Sequence, residues 1–225
     1  MKNAISIIAG FALAINLSIL SPATGQQRTV HAPDLTKFAA GKGWKVFNRK
    51  ASASNEGNRK GVHFDEREGD GGAWLENFRF ADGTIEFDAK GNDALQRSFL
   101  GIAFHGVDST KFDAVYFRPF NFRAADPVRR SHAVQYVSHP QHPWSRLREE
   151  QPGKYEQPVA PAPDPNGWFH VRIVVDNGKV AVFVNGAKAP SLTVEQLSDR
   201  KEGLVGFWVG NNSGGDFANL RITPE

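Results

Sequence analysis

The chain has 225 residues and a net charge of +3, and its 27 Lys and Arg are interspersed with 24 Asp and Glu, so a nucleic-acid partner is not expected. With no cysteine there is no disulfide framework and no cysteine for a lipid anchor, and a sizeable apolar core must hold the fold. Seventeen phenylalanines against one methionine favour strands over helices.

Met1-Lys2-Asn3 is a short basic start, Ala4 to Leu20 is apolar, and Ser21 to Gly25 supplies small residues ahead of a cut before Gln26. This predicts a secretory signal peptide over residues 1–25, with a single membrane anchor as the alternative. The expected location is secreted or periplasmic in a bacterium, with no membrane partner after cleavage. Residues 26–225 suit one all-β domain.

Within it, Asp34 to Phe38 could make one helical turn and Trp44 to Phe47 a short strand, and Ser54 to Gly61 is expected to be a polar loop. Strands are predicted at Gly61–Phe64, Gly72–Leu75, Gly83–Gly91, Ser98–His105, Phe112–Arg118 and His132–Ser138. Pro119 to Arg130 connects two of them, and a long Pro-rich loop follows over 139–167, an ordered Trp-, His-, Arg- and Glu-rich half preceding a surface strap. The end is the clearest part. Trp168–Asp176 and Lys179–Val184 alternate around Asn177-Gly178, a hairpin signal because both turn residues tolerate positive φ. Two more strands, Gly203–Gly210 and Asp216–Ile222, complete an antiparallel sandwich.

Strand alternation assigns faces. Ile85, Phe87, Leu100, Ile102, Phe104, Val115, Phe117, Val134, Tyr136, Val205, Phe207 and Val209 are expected inside. If the strands share one sheet, its open face carries Glu86, Asp88, His105, Tyr116, Arg118, Gln135 and Trp208. An aromatic plane with fixed carboxylate, guanidinium and amide groups has the chemistry of a sugar groove, and Gly101, Ala103 and Gly206 leave room. An ordinary solvated sheet face explains the same polar residues. Trp144, Arg146, Arg148 and Glu149 either wall that groove or pin the long loop. His139-x-x-His142 lacks the further ligands a zinc site needs.

The order Trp168-x-x-Val-x-Ile, hairpin, Val184-Asn-Gly, Gly203-Leu-Val-Gly-Phe, Phe217-x-Asn-Leu-x-Ile222 resembles the end of concanavalin A-like lectin/glucanase jelly rolls. Within that superfamily it is most similar to laminin-G-like and 3-keto-disaccharide hydrolase-type domains. Gly101-Ile-Ala-Phe-His105 resembles a Ser-Gly-Ile-Phe-x-Arg strand of the latter, with His105 at the Arg position. The resemblance implies a jelly-roll β-sandwich and an oligo- or polysaccharide partner. No cofactor is called for, though a structural calcium using backbone carbonyls and Asp216 would fit the superfamily. Glu86-Phe-Asp88 resembles the paired carboxylates of glycosidases, but the second Glu of the glucanase motif is missing. Three readings stay open. The first is a carbohydrate-binding protein using Tyr116, Arg118, Gln135, Trp144, Arg146 and Trp208. The second is a glycoside-cleaving enzyme using Glu86, Asp88 and His105, and the third a structural envelope protein.

Overall fold

The computed structural model describes residues 29–225, so the expected signal segment lies outside the described residues. A 3-10 helix, Leu35–Ala40, is capped by Asp34, whose side chain accepts from the Thr36 amide at 3.0 Å. The strands in chain order are β1 (Trp44–Phe47), β2 (Ala51–Glu56), β3 (Arg59–Phe64), β4 (Gly71–Leu75), β5 (Gly83–Lys90), β6 (Leu100–Gly106) and β7 (Phe112–Phe117). Two short helices follow, α1 (Pro119–Phe122) and α2 (Pro127–Arg130), then β8 (Val134–His139), α3 (Trp144–Glu150) and β9 (Glu156–Gln157). The chain closes with β10 (Phe169–Asp176), β11 (Lys179–Val184), β12 (Leu192–Glu195), β13 (Leu204–Val209) and β14 (Gly215–Pro224).

These strands form two antiparallel seven-stranded sheets. Sheet 1 runs β1-β4-β13-β6-β7-β8-β9, and sheet 2 runs β12-β11-β10-β5-β14-β3-β2. The core lies between them and is dominated by phenylalanine. Phe207 of sheet 1 stacks on Phe217 of sheet 2 with ring centroids 4.3 Å apart, and Phe87 meets Phe207 at 6.0 Å. The predicted hairpin is present: Asn177 and Gly178 have φ of 48° and 80°, the left-handed pair that a tight two-residue turn requires.

Two local readings are corrected. Ser54 to Gly61 is not a loop but most of an edge hairpin, in which Glu56 pairs with Arg59. Its polar residues stay in water on both faces, so it carries no hydrophobic alternation to read. The 139–167 segment contains α3 and β9 in place of an uninterrupted loop.

The two sheets differ in how they meet solvent. β10 alternates buried and half-exposed positions, as a strand covered on one face does. β6 and β7 are buried at every position. The outer face of sheet 1 is therefore roofed, in part by α3, whose Leu147 is buried against it. Close packing reaches the backbone at Gly206, where an added Cβ would sit 1.9 Å from the Ala73 carbonyl oxygen. Gly206→Ala is expected to force β13 from β4 and to cost about 1–3 kcal/mol by overpacking; urea denaturation against wild type measures it.

Candidate functional site

Register places a straight row across the outer face of sheet 1. Phe47 lies opposite Gly72, Gly72 opposite Trp208, Trp208 opposite Gly101, Gly101 opposite Tyr116, Tyr116 opposite Gln135, and Gln135 opposite Glu156. Tyr116, Gln135 and Trp208 thus meet as the sequence suggests, with Arg118 just beyond the end of β7. The Tyr116 hydroxyl donates to Gln135 Oε1 at 2.9 Å and accepts from Arg118 Nη2 at 2.6 Å. Arg118 Nη2 also donates to Gln135 Oε1. Burial pushes the Tyr116 phenol up to about 12, so it remains a neutral donor. Trp208 leans on Tyr116 at 5.1 Å.

The anion of this cluster is Glu156, which strand alternation does not single out. Arg148 grips it with two hydrogen bonds of 2.8 and 2.7 Å, Arg118 Nη1 lies 3.5 Å away and His132 Nδ1 2.9 Å away. Tyr116, Arg118, Gln135, Glu156 and Trp208 are all buried. They form a locked floor and not the open platform that alternation predicts.

The accessible part of this face lies beside that floor. A cavity of about 580 Å³ is lined by Phe47 and Asn48 from β1 and its end, Asp70 before β4, Ser109 and Thr110 of the β6–β7 turn, and Phe112 and His139. Its aromatic side is continuous through Trp74. Phe47 stacks on Trp74 at 5.7 Å, Phe112 meets Trp74 edge-on at 6.0 Å, and His139 packs on Phe112 at 5.1 Å. On the same sheet face the buried Trp74 Nε1, Trp208 Nε1 and Gln135 Nε2 have no protein acceptor among the described residues. Burial raises the Asp70 carboxyl, against the charges of His139 and Arg49, and lowers the His139 imidazole, against Asp70 and Asp113.

The remaining sequence candidates lie elsewhere. Glu86 and Asp88 are on β5, in sheet 2, and face outward on the opposite side of the molecule. There Asp88 accepts from Asn219 Nδ2 at 2.8 Å and Arg59 Nε at 3.2 Å, and His170 bridges it at 2.9 Å to Glu86 at 3.6 Å. The expectation that these strands share one sheet fails because β5 pairs with β10 and β14. His105 is turned into the interior. The register between β13 and β6 shifts there, and His105 adopts φ 48°, so an extra residue breaks the alternation. Its Nε2 lies 2.8 Å from the Ala81 carbonyl and its Nδ1 3.7 Å from Asp113, and it reaches only a small cavity of about 120 Å³ beside Asp82 and Lys201. Trp144 and Arg146 ride on α3. Trp144 is half exposed with the Arg148 guanidinium over its ring, and Arg146 pairs with Glu150 at 2.9 Å.

Among the described residues no group of three His, Asp or Glu side chains is arranged to hold a metal ion. Asp216, the carboxylate expected at a structural calcium, is engaged by Ser54 Oγ at 2.6 Å and His63 Nδ1 at 3.2 Å. No described helix is long and apolar enough to cross a membrane.

Two apposed antiparallel sheets with an aromatic-lined cavity on one outer face define a β-sandwich of the concanavalin A and galectin type. A family model described as "3-keto-alpha-glucoside-1,2-lyase-like domain" matches residues 37–223, and the chain belongs to that family. A search of curated proteins gives no match. Among solved structures, the carbohydrate-binding module CBM66 from Bacillus subtilis is similar at 15% identity and TM-score 0.56, covering 80% of this chain and 96% of its own. A putative glycosyl hydrolase from Parabacteroides distasonis is similar at 12% identity and TM-score 0.50, covering 87% of this chain and 100% of its own. The exoplasmic/lumenal domain of VIP36, in a Ca2+/Man3GlcNAc-bound form, is similar at 10% identity and TM-score 0.51, covering 80% of this chain and 84% of its own. At these identities the likeness is one of fold.

Proposed function

We propose that the protein binds a saccharide in the Phe47–Phe112 cavity on the outer face of sheet 1, as an exported bacterial protein. The observation that carries this reading is the cavity itself. At about 580 Å³ it falls within the usual range for small-ligand sites, roughly 300–1,000 Å³. The partly exposed ring of Phe47 offers a plane to the apolar face of a pyranose, while Asn48, Asp70, Ser109 and Thr110 offer partners for hydroxyls. The locked floor of Tyr116, Arg118, Gln135 and Glu156 holds the strands beneath it in one geometry. The family match and the lectin-like neighbours support a carbohydrate ligand.

Cleavage of a glycoside is the second reading, and the family to which the chain belongs favours it. A panel of oligosaccharides and 3-keto glycosides, followed by calorimetry for binding and mass spectrometry for products, tests both. Phe47→Ala is expected to weaken saccharide binding at least about tenfold, equivalent to ~1.4 kcal/mol. Glu86→Gln, on the far side of the sandwich, is expected to leave binding and any turnover unchanged. Binding that is indifferent to Phe47→Ala would move the ligand to another surface.

A further inference from the structure

Among the described residues four strands end the two sheets, and β2 is the longest of them. It has six residues, against four in β1, four in β12 and two in β9. Folded proteins blunt such edges with lysine, proline, a bulge or a covering segment. β2 reads Ala51-Ser-Ala-Ser-Asn-Glu56, pairs with β3 without a register shift, and leaves Ser52, Ala53, Asn55 and Glu56 exposed. The ladder shows which backbone groups face outward. The Asp65 amide donates to the Lys50 carbonyl at 3.1 Å and the Lys50 amide to Asp65 Oδ1 at 2.6 Å, so Lys50 turns its main chain toward β3. Direction alternates along an antiparallel strand, so Ser52, Ser54 and Glu56 do the same. The N–H and C=O groups of Ala51, Ala53 and Asn55 therefore point away from the sheet. Side chains alternate as well. Ser54 reaches Asp216 and Glu56 reaches Lys90 on the outer face of sheet 2, the face to which Lys50 and Ser52 belong.

We infer that two copies of the chain join β2 to β2, antiparallel about a two-fold axis at Ala53, so that their second sheets become one continuous sheet. This goes beyond the saccharide reading and does not depend on it. Ala53 meets Ala53 and Ala51 meets Asn55, so every outward N–H and C=O of β2 gains a partner. A slip of one residue would set outward groups against inward ones. A slip of two would leave Ala51 or Asn55 unpaired. The charges agree with this register. On the outer face Ser52 meets Ser54, and Lys50 of each copy meets Glu56 of the other. Glu56 holds Lys90 and the Trp168 indole through Oε2, which leaves Oε1 open among the described residues.

Sedimentation velocity of the mature chain over a range of concentrations tests this, with a dimer expected to build as concentration rises. Ala53→Pro removes an N–H that β3 does not use, so Tm should be kept while the dimer is lost. Lys50→Glu sets two carboxylates opposite each other at both ends of the pairing and should weaken association at least about threefold. The chain has no cysteine, so Ala53→Cys carries a single thiol, and at the axis two copies should join as a disulfide. Asn58→Cys, in the turn between β2 and β3, should cross-link far more slowly. A chain that stays monomeric at every concentration overturns the inference, and so does a dimer indifferent to Ala53→Pro or to Lys50→Glu. Should Ala53→Pro fail to fold, cross-linking decides, and equal rates in the two cysteine variants overturn the pairing.

Discussion

Asp113→Asn is expected to destabilise the fold by about 3–5 kcal/mol, the cost of leaving a buried cation without its anion. Asp113 is fully buried on the inner face of β7. Its Oδ1 receives Arg200 Nη2 at 2.9 Å and the Tyr136 hydroxyl at 3.1 Å, and its Oδ2 receives Ser198 Oγ at 2.5 Å and Gln196 Nε2 at 3.2 Å. One carboxylate thus ties the segment after β12 to sheet 1. Burial alone would raise this carboxyl. The hydrogen bonds of His105, Ser198 and Ser138 and the charge of Arg200 outweigh burial and hold it below the ordinary value of 3.8. A carboxyl depressed in the folded state contributes stability that is complete above the unfolded value and is lost as pH falls through the folded one. Denaturation midpoints of wild type and variant should differ by a constant amount from pH 5 to 7, at about one unit and more above that value, and converge in more acidic solution. A gap that does not narrow in acid would show that Asp113 acts through packing and not through charge.

The second large effect is expected at Glu156. Glu156→Gln leaves the Arg118 and Arg148 guanidiniums beside a neutral amide, and Arg118 is itself buried. A loss of about 3–5 kcal/mol follows, or roughly 6–20 °C in Tm for a domain of this size. Arg118 is also the donor that orders Tyr116 and Gln135, so saccharide binding should weaken even where the variant remains folded. Thermal unfolding and calorimetry on one preparation separate the two consequences. A Glu156→Asp variant, which keeps the charge, should recover part of the stability.

The sandwich is legible in the sequence because its strands alternate, and because Asn177-Gly178 announces a hairpin in two residues. The meeting of Tyr116, Gln135 and Trp208 is legible for the same reason, since all three follow the period of two. Glu86 and Asp88 satisfy that period equally well. Alternation tells which way a side chain points relative to its own strand but not which sheet the strand joins, and β5 belongs to sheet 2. His105 escapes because a bulge changes the count, and no residue type marks this one. Asp70, Phe47 and Phe112 escape for a different reason. They come from the ends of β1, β4 and β7, which strand pairing gathers into one sheet, and no local spacing records such a meeting. His139 stands out in the sequence only as half of a His-x-x-His pair, whereas its partners in the structure are an aromatic ring and a carboxylate across a cavity.

The segment that roofs sheet 1 also supplies Glu156, the anion on which the floor depends. The same stretch of chain therefore carries His139, which lines the proposed ligand cavity, and the carboxylate that holds the floor together. A lectin whose recognition loops are mere ornaments can have them exchanged between relatives as cassettes. Here a grafted 139–167 segment would have to bring its own carboxylate to the end of the row, in register with Gln135, before any new contact to a ligand could matter.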